Sequence, residues 1–327
     1  VINSYRKSVM AKLLVATCVF AVTTAAYGDA QWIGGGATNN WTDGANWDTG
    51  AAPASATEKG TEDDGEANVA RMLTDGTTTV IDSDVTAFAI QIGHPIPGSL
   101  GDQASSNVLN MTGGTLTAQG NFLINVGRGR NALPDQLAQF NVSGGVVNAA
   151  GITVPEGFNP DNVLGFTSVG INAEMHVSGD SIINTDLLRL GAQDANSIVT
   201  ISDNAQINLT DDNLGFANGA LWIEAFEDPV RGSSLLDIRD NAVLNVHGEW
   251  WTDENGDEER GAATQSEADY FQANYVDTGW IVANGGAGVV DVSFANGVVT
   301  MSAVPEPGSF GLLLVALPVV ALLRRKR

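Results

Sequence analysis

The side chains with the widest chemical reach in this chain are three histidines, His94, His176 and His247, and a large surplus of carboxylates. The histidines stand far apart, and neither His-Glu-x-x-His nor Gly-x-Ser-x-Gly occurs. A glycosidase pair of carboxylates is defined by closeness in space and unequal acidity, which spacing along the chain does not specify. Calcium is the ion this chain's carboxylates fit best. In "DENGDEE", Asp253, Asn255 and Asp257 alternate as in the first half of an EF-hand loop. The pattern then departs, with Glu258 where glycine is expected and Thr264 where the bidentate glutamate belongs, so a solvated acidic loop competes with a calcium site.

Two further groups could bind a polymer. Arg128 and Arg130, in "GRGRNALPDQ", are the close basic pair of the body; they could grip an acidic exopolysaccharide or simply pair with Asp135. Trp32, Trp41 and Trp47 lie among Gly, Asn and Asp, and could either stack on sugars or plug the open end of a repeat array.

Charge narrows the partners. We set aside the basic residues of the N-terminal segment, the four at the C-terminus, and Glu306. The remaining body has eight basic residues against 37 acidic ones, a net charge of −29. Such a body repels phosphate backbones, so no nucleic acid is expected. Eight bases also leave little for lyase chemistry on acidic sugars. With no catalytic motif present, the chain reads as a non-enzyme without a cofactor; a secreted polysaccharide lyase or hydrolase is the alternative.

The elements that must position these residues are irregular repeats. "VLNMTGGTLTAQGNFLINVG" at Val108 returns as "AQFNVSGGVVNAAGITVPEG" at Ala138 and "EMHVSGDSIINTDLLRLG" at Glu174. Two further copies are "SIVTISDNAQINLTDDNLG" at Ser197 and "SLLDIRDNAVLNVHG" at Ser234, with a looser one from Thr77. Each is an alternating strand, a Gly-Gly, Gly-Asp or Asp-Asn turn, a second alternating strand and usually a third ending in Gly. The turn positions 112, 143, 178, 202 and 239 are 31, 35, 24 and 37 residues apart, which suits stacked short coils joined by loops of variable length. The expectation is an all-β chain, a right-handed parallel β-helix; an antiparallel sandwich of hairpins is the runner-up.

The ends differ from the repeats. Arg6, Lys7 and Lys12 precede the apolar run Leu13–Ala26 and small residues up to Gly28, which reads as a secretory signal over residues 1–28. Its Cys18 is the lone cysteine, so disulfides and thiolate chemistry are not expected of the exported body. Residues 29–76 read as a Trp-rich N-terminal cap and acidic loop, and residues 77–250 as the repeats. Residues 251–303 read as an acidic loop, one short helix in "SEADYFQANYVDTG" and closing strands. The chain ends "VPEPGSFGLLLVALPVVALLRRKR", over residues 304–327. Its apolar run, Gly308–Leu323, is interrupted by Pro318 and is a little short of the roughly 20 residues of a comfortable transmembrane helix.

That tail resembles the PEP-CTERM sorting signal. Val304, Pro305, Glu306 and Pro307 match its motif, the apolar run its transmembrane segment, and Arg324, Arg325, Lys326 and Arg327 its basic end. The resemblance implies an exported bacterial protein, anchored in the membrane at least transiently and processed by an exosortase. It implies hosts that make exopolysaccharide or biofilm. The body is similar, less specifically, to β-helical adhesins and autotransporter passengers of bacterial surfaces, which implies no catalytic residues. A calcium-dependent matrix module is a third reading.

Overall fold

The computed structural model describes residues 30–55, 69–72, 74–93, 105–120, 124–127, 136–154, 172–191, 196–210, 220–223, 233–248, 251–252, 258–259 and 262–304. They are mostly β-strand, arranged in three large sheets with predominantly parallel pairing and one short α-helix. The repeats from Thr77, Val108, Ala138, Glu174 and Ser197 each give one strand to each sheet in a fixed order, and among the described residues the repeat from Ser234 gives strands to sheets I and II. Sheet I takes Thr77–Ile81, Asn107–Met111, Leu137–Val142, Asn172–Val177, Ser197–Ile201, Ser234–Ile238 and Ile281–Ala283. Sheet II takes Val85–Ala87, Thr115–Ala118, Val146–Ala149, Ile182–Thr185, Gln206–Leu209 and Val243–Val246. Sheet III begins with Ala30–Gln31 and Val69–Met72 and continues through Ala89–Ile92, Ile124–Val126, Ile152–Val154, Leu187–Leu190 and Ala220–Ile223.

Parallel pairing overturns the sandwich of hairpins. The strands on either side of each Gly-Gly or Asp-Asn turn do not pair with each other; each pairs with the equivalent strand of the next repeat. The partner offsets Met111↔Val142, Val142↔Val177, Val177↔Ile201 and Ile201↔Ile238 reproduce the irregular spacing of the turns. Between sheets I and II the connections stay near-constant in length, and the variation falls in the other two.

In-register stacking converts alternation into apolar columns. Leu109, Phe140, Met175, Val199, Leu236 and Ile281 follow one another in sheet I. Leu116, Val147, Ile183, Ile207 and Leu244 do so in sheet II. These columns are completely or almost completely buried and belong to one continuous core that also takes in Ile124, Ile152 and Leu188 of sheet III. No single repeat could enclose its apolar face; stacking does.

The corners between sheets I and II change chemistry along the stack. Gly114, Gly145 and Gly179 take the positive φ of the earlier corners, at 74°, 89° and 66°. In the later ones Asp203, Asp240 and Asn284 do so, at 59°, 55° and 52°. Asp and Asn tolerate this left-handed region because their short polar side chains bond locally. Here each bonds to the layer before it. The Asp203 carboxylate accepts from Gly179 N–H at 2.9 Å, Asp240 from Asp203 N–H at 3.3 Å, and Asn284 from Asp240 N–H at 3.3 Å.

The helix, α1 (Gln265–Phe271), begins at Thr264, whose backbone N–H donates to Glu267 at 2.9 Å, and continues as a π-turn, Gln272–Val276. Gly279, with φ 81°, follows it. Phe271 and Tyr275 are buried against the core, while Tyr270 is exposed. The stack closes with Val289–Ala295 and Val298–Val304, an antiparallel hairpin added to sheet II beyond Val243–Val246. Among the described residues no helix is long and apolar enough to cross a membrane, and the C-terminal run expected to do so lies outside them.

Tyr275 makes the stability of this end sensitive to alkali. Burial, and secondarily the neighbouring Tyr270, push its phenol up from 10.0 to about 12. The unfolded chain ionises the group near its ordinary value while the folded chain holds the proton. The associated stability is therefore full below pH 10 and is lost as pH rises toward 12. Tyr275→Phe should flatten the fall in unfolding free energy across that window. An unchanged slope would count against this origin.

Candidate functional site: an uncharged amide face beside acidic corners

Sheet II carries its polar residues on the side away from the core. In "VVNA", "IINT", "QINL" and "VLNV", the second and fourth residues turn inward and the third, an asparagine, turns outward. Because the strands pair in register, the four asparagines stand one above another. Asn184 Nδ2 donates to Asn148 Oδ1 at 3.0 Å, Asn208 Nδ2 to Asn184 Oδ1 at 3.0 Å, and Asn245 Nδ2 to Asn208 Oδ1 at 2.9 Å. Thr300 of the closing hairpin donates its hydroxyl to Asn245 Oδ1 at 2.9 Å. All five are half-buried. Motif spacing does not reveal this row. Its signal in the sequence is the recurrence of asparagine at the third position of the second strand in four consecutive repeats.

Sheet I presents a shorter and more ionic set. Asn141 donates to Asn110 at 2.9 Å, and Gln139 donates to the Glu174 carboxylate at 2.8 Å. His176 Nε2 lies 3.1 Å from the same carboxylate oxygen. This places His176 on a strand face, as its alternation implies, beside the one carboxylate that also holds Gln139. Asp237, buried, accepts from Arg239 Nε at 2.6 Å and from Gly285 N–H at 2.9 Å, tying the repeat from Ser234 to the closing segment. Among the described residues no three His, Cys, Asp or Glu side chains are grouped to hold a metal ion.

The tryptophans are placed otherwise than a sugar platform requires. Trp32, Trp41 and Trp47 are all at most 1% exposed. Trp47 meets Trp32 edge-on at 5.2 Å and Trp41 at 4.8 Å, and donates its Nε1–H to the Trp41 carbonyl at 2.8 Å. Their ring faces are covered by one another and by the core, which corrects the expectation that they could stack on sugars. The segment lies on the first strands of two sheets: Trp32 N–H donates to Arg71 O, Trp41 N–H to Val80 O, and Val80 N–H to Asn39 O.

Val304 ends the last strand and is exposed. Pro305, Glu306 and Pro307, the basic residues Arg324, Arg325, Lys326 and Arg327, the pair Arg128 and Arg130, and the calcium candidates Asp253, Asn255 and Asp257 all lie outside the described residues. So does the N-terminal signal segment. Comparison of the chain with protein-family models, with curated proteins and with solved structures finds no match.

Proposed function

We propose that this is a non-catalytic, exported bacterial protein of the cell surface or extracellular matrix. It is sorted through its C-terminal Val304–Pro307 motif by an exosortase-type enzyme and works in an exopolysaccharide or biofilm setting. The body is read as a closed, right-handed parallel β-helix. The fixed order in which the chain visits three parallel sheets supports the closure, and the strong right-handed preference of parallel crossovers supports the hand. One observation carries the sorting reading. The final strand ends at an exposed Val304, so the Pro-Glu-Pro motif and the apolar run follow directly on the folded body.

In this reading the apolar tail holds the motif at the bilayer while the basic end stays inside. The acidic body then faces outward, and cleavage at the motif releases it. Intact mass on fractionated cells tests this. Released protein should lack everything after the Pro-Glu-Pro region, and Glu306→Ala should leave full-length chain in the membrane fraction. Full-length mass in the medium would sink the proposal.

A further inference from the structure

We propose that the outward face of sheet II is a binding track for an uncharged, extended polysaccharide. The polymer lies along the stack, its hydroxyls on the asparagine row and its C–H faces on the aliphatic row beside it. This deepens the matrix reading and rests on it only for where the protein would meet such a polymer.

The chemistry begins with hydrogen-bond valence. A side-chain amide has two N–H donors and an oxygen with two acceptor sites. Asn184, Asn208 and Asn245 each use one donor and one acceptor to hold the row together. Each half-buried amide therefore keeps a further N–H and a further acceptor site for an outside partner. The spacing of neighbouring strands repeats this pair every 4.8 Å or so, close to the advance of one ring in an extended sugar chain. The row is fixed before any ligand arrives, so binding need not order it.

Two residues earlier on the same strands, a second outward row runs parallel to the first. It contains Val146, Ile182 and Val243, half-buried, with Gln206 between the last two. An aliphatic strip beside a strip of donors and acceptors matches the two surfaces of a pyranose ring, whose C–H face is apolar and whose rim is hydroxyl.

Charge selects the polymer. On the strands Val85–Ala87 through Val243–Val246 and on Val298–Val304 the outward positions carry no ionisable side chain, although the body as a whole has a net charge of −29; the outermost strand, Val289–Ala295, adds one carboxylate, Asp291, at the far edge. Along its edge run the acidic corners, with Asp84, Asp180, Asp203 and Asp240. A polyanion approaching this track meets that column and is repelled, whereas a neutral chain is not. Individual contacts are weak, and affinity grows with the number of layers that one polymer spans.

The test uses the purified full chain in mild detergent, electrophoresed through gels containing hydroxyethylcellulose, dextran or, as a polyanion, alginate. Retardation by at least one neutral polymer and none by alginate is expected. The double variant Asn184→Ser/Asn208→Ser should bind at least tenfold more weakly. Ile182→Thr, which keeps the β-branched shape and leaves the row intact, should bind about threefold more weakly; it decides the matter if the double variant does not fold. Circular dichroism establishes which variants are folded. Retardation by alginate equal to that by the neutral polymers, no retardation by any neutral polymer, or wild-type binding by the folded variants would each overturn the proposal. Full-length mass outside the cell would overturn the sorting reading alone. Normal processing without glycan retardation would overturn the track alone.

Discussion

Trp47→Ala is expected to cost about 3–5 kcal/mol, the range for truncating a large buried aromatic. Trp47 is 1% exposed and packs edge-on against both Trp32 and Trp41, so its removal leaves two indoles facing a void. The Trp41 carbonyl also loses its donor, the Trp47 Nε1–H at 2.8 Å. The damage should be local. In a stacked repeat each layer is held mainly by its neighbours, so loss of an end layer frays that end first. Hydrogen exchange should therefore rise in Ala30–Gln31, Val69–Met72 and Thr77–Ile81 while Ser234–Ile238 stays protected. Denaturant unfolding followed by far-ultraviolet circular dichroism gives the size of the loss. A cost below about 1 kcal/mol would mean that the tryptophans do not hold this end closed.

Gly145→Ala should be nearly as severe, at about 2–5 kcal/mol, for two reasons that add. Gly145 sits at φ 89°, where an L side chain is strained. A Cβ there would also fall on the carbonyl oxygen of Gly114 and lie 2.9 Å from Met111 Cε, so backbone of the layer before would have to move. Thermal unfolding should drop by roughly 5–15 °C for a body of this size. Gly113→Ala is the control: the added Cβ meets only Asp82 O, at an ordinary 3.6 Å, so the change should be small. Equal losses at the two positions would show that strain at the corner is not the cause.

These corners show how much the sequence discloses. Gly-Gly, Gly-Asp and Asp-Asn are legible as places where the chain turns with positive φ, and their separations of 31, 35, 24 and 37 residues carry through into the strand register. What the turn joins is not legible. The same residues serve a hairpin, in which the flanking strands pair with each other, and a corner, in which each pairs with a strand of another repeat. The late corners add a device that only stacking makes sense of, since Asp203 and Asp240 need the backbone N–H of the preceding layer within reach.

The amide row is a sharper case of the same limit. Asn148, Asn184, Asn208 and Asn245 are individually unremarked polar positions on alternating strands. A slip of one residue in any pairing would send that strand's asparagine to the other face and break the row. Trp32, Trp41 and Trp47 likewise admit two readings from composition, and burial decides between them.

The sequence by itself determined the alternation of apolar and polar residues, the turn chemistry, the acidic charge and the order of parts in the C-terminal tail. These are local properties, set by side-chain type and spacing within a few residues. Only the tertiary structure decided that the strands pair in parallel, that the tryptophans face one another, and that four asparagines form a continuous row. Each of these joins residues that are neighbours only across the stack, and the register of parallel pairing brings them there.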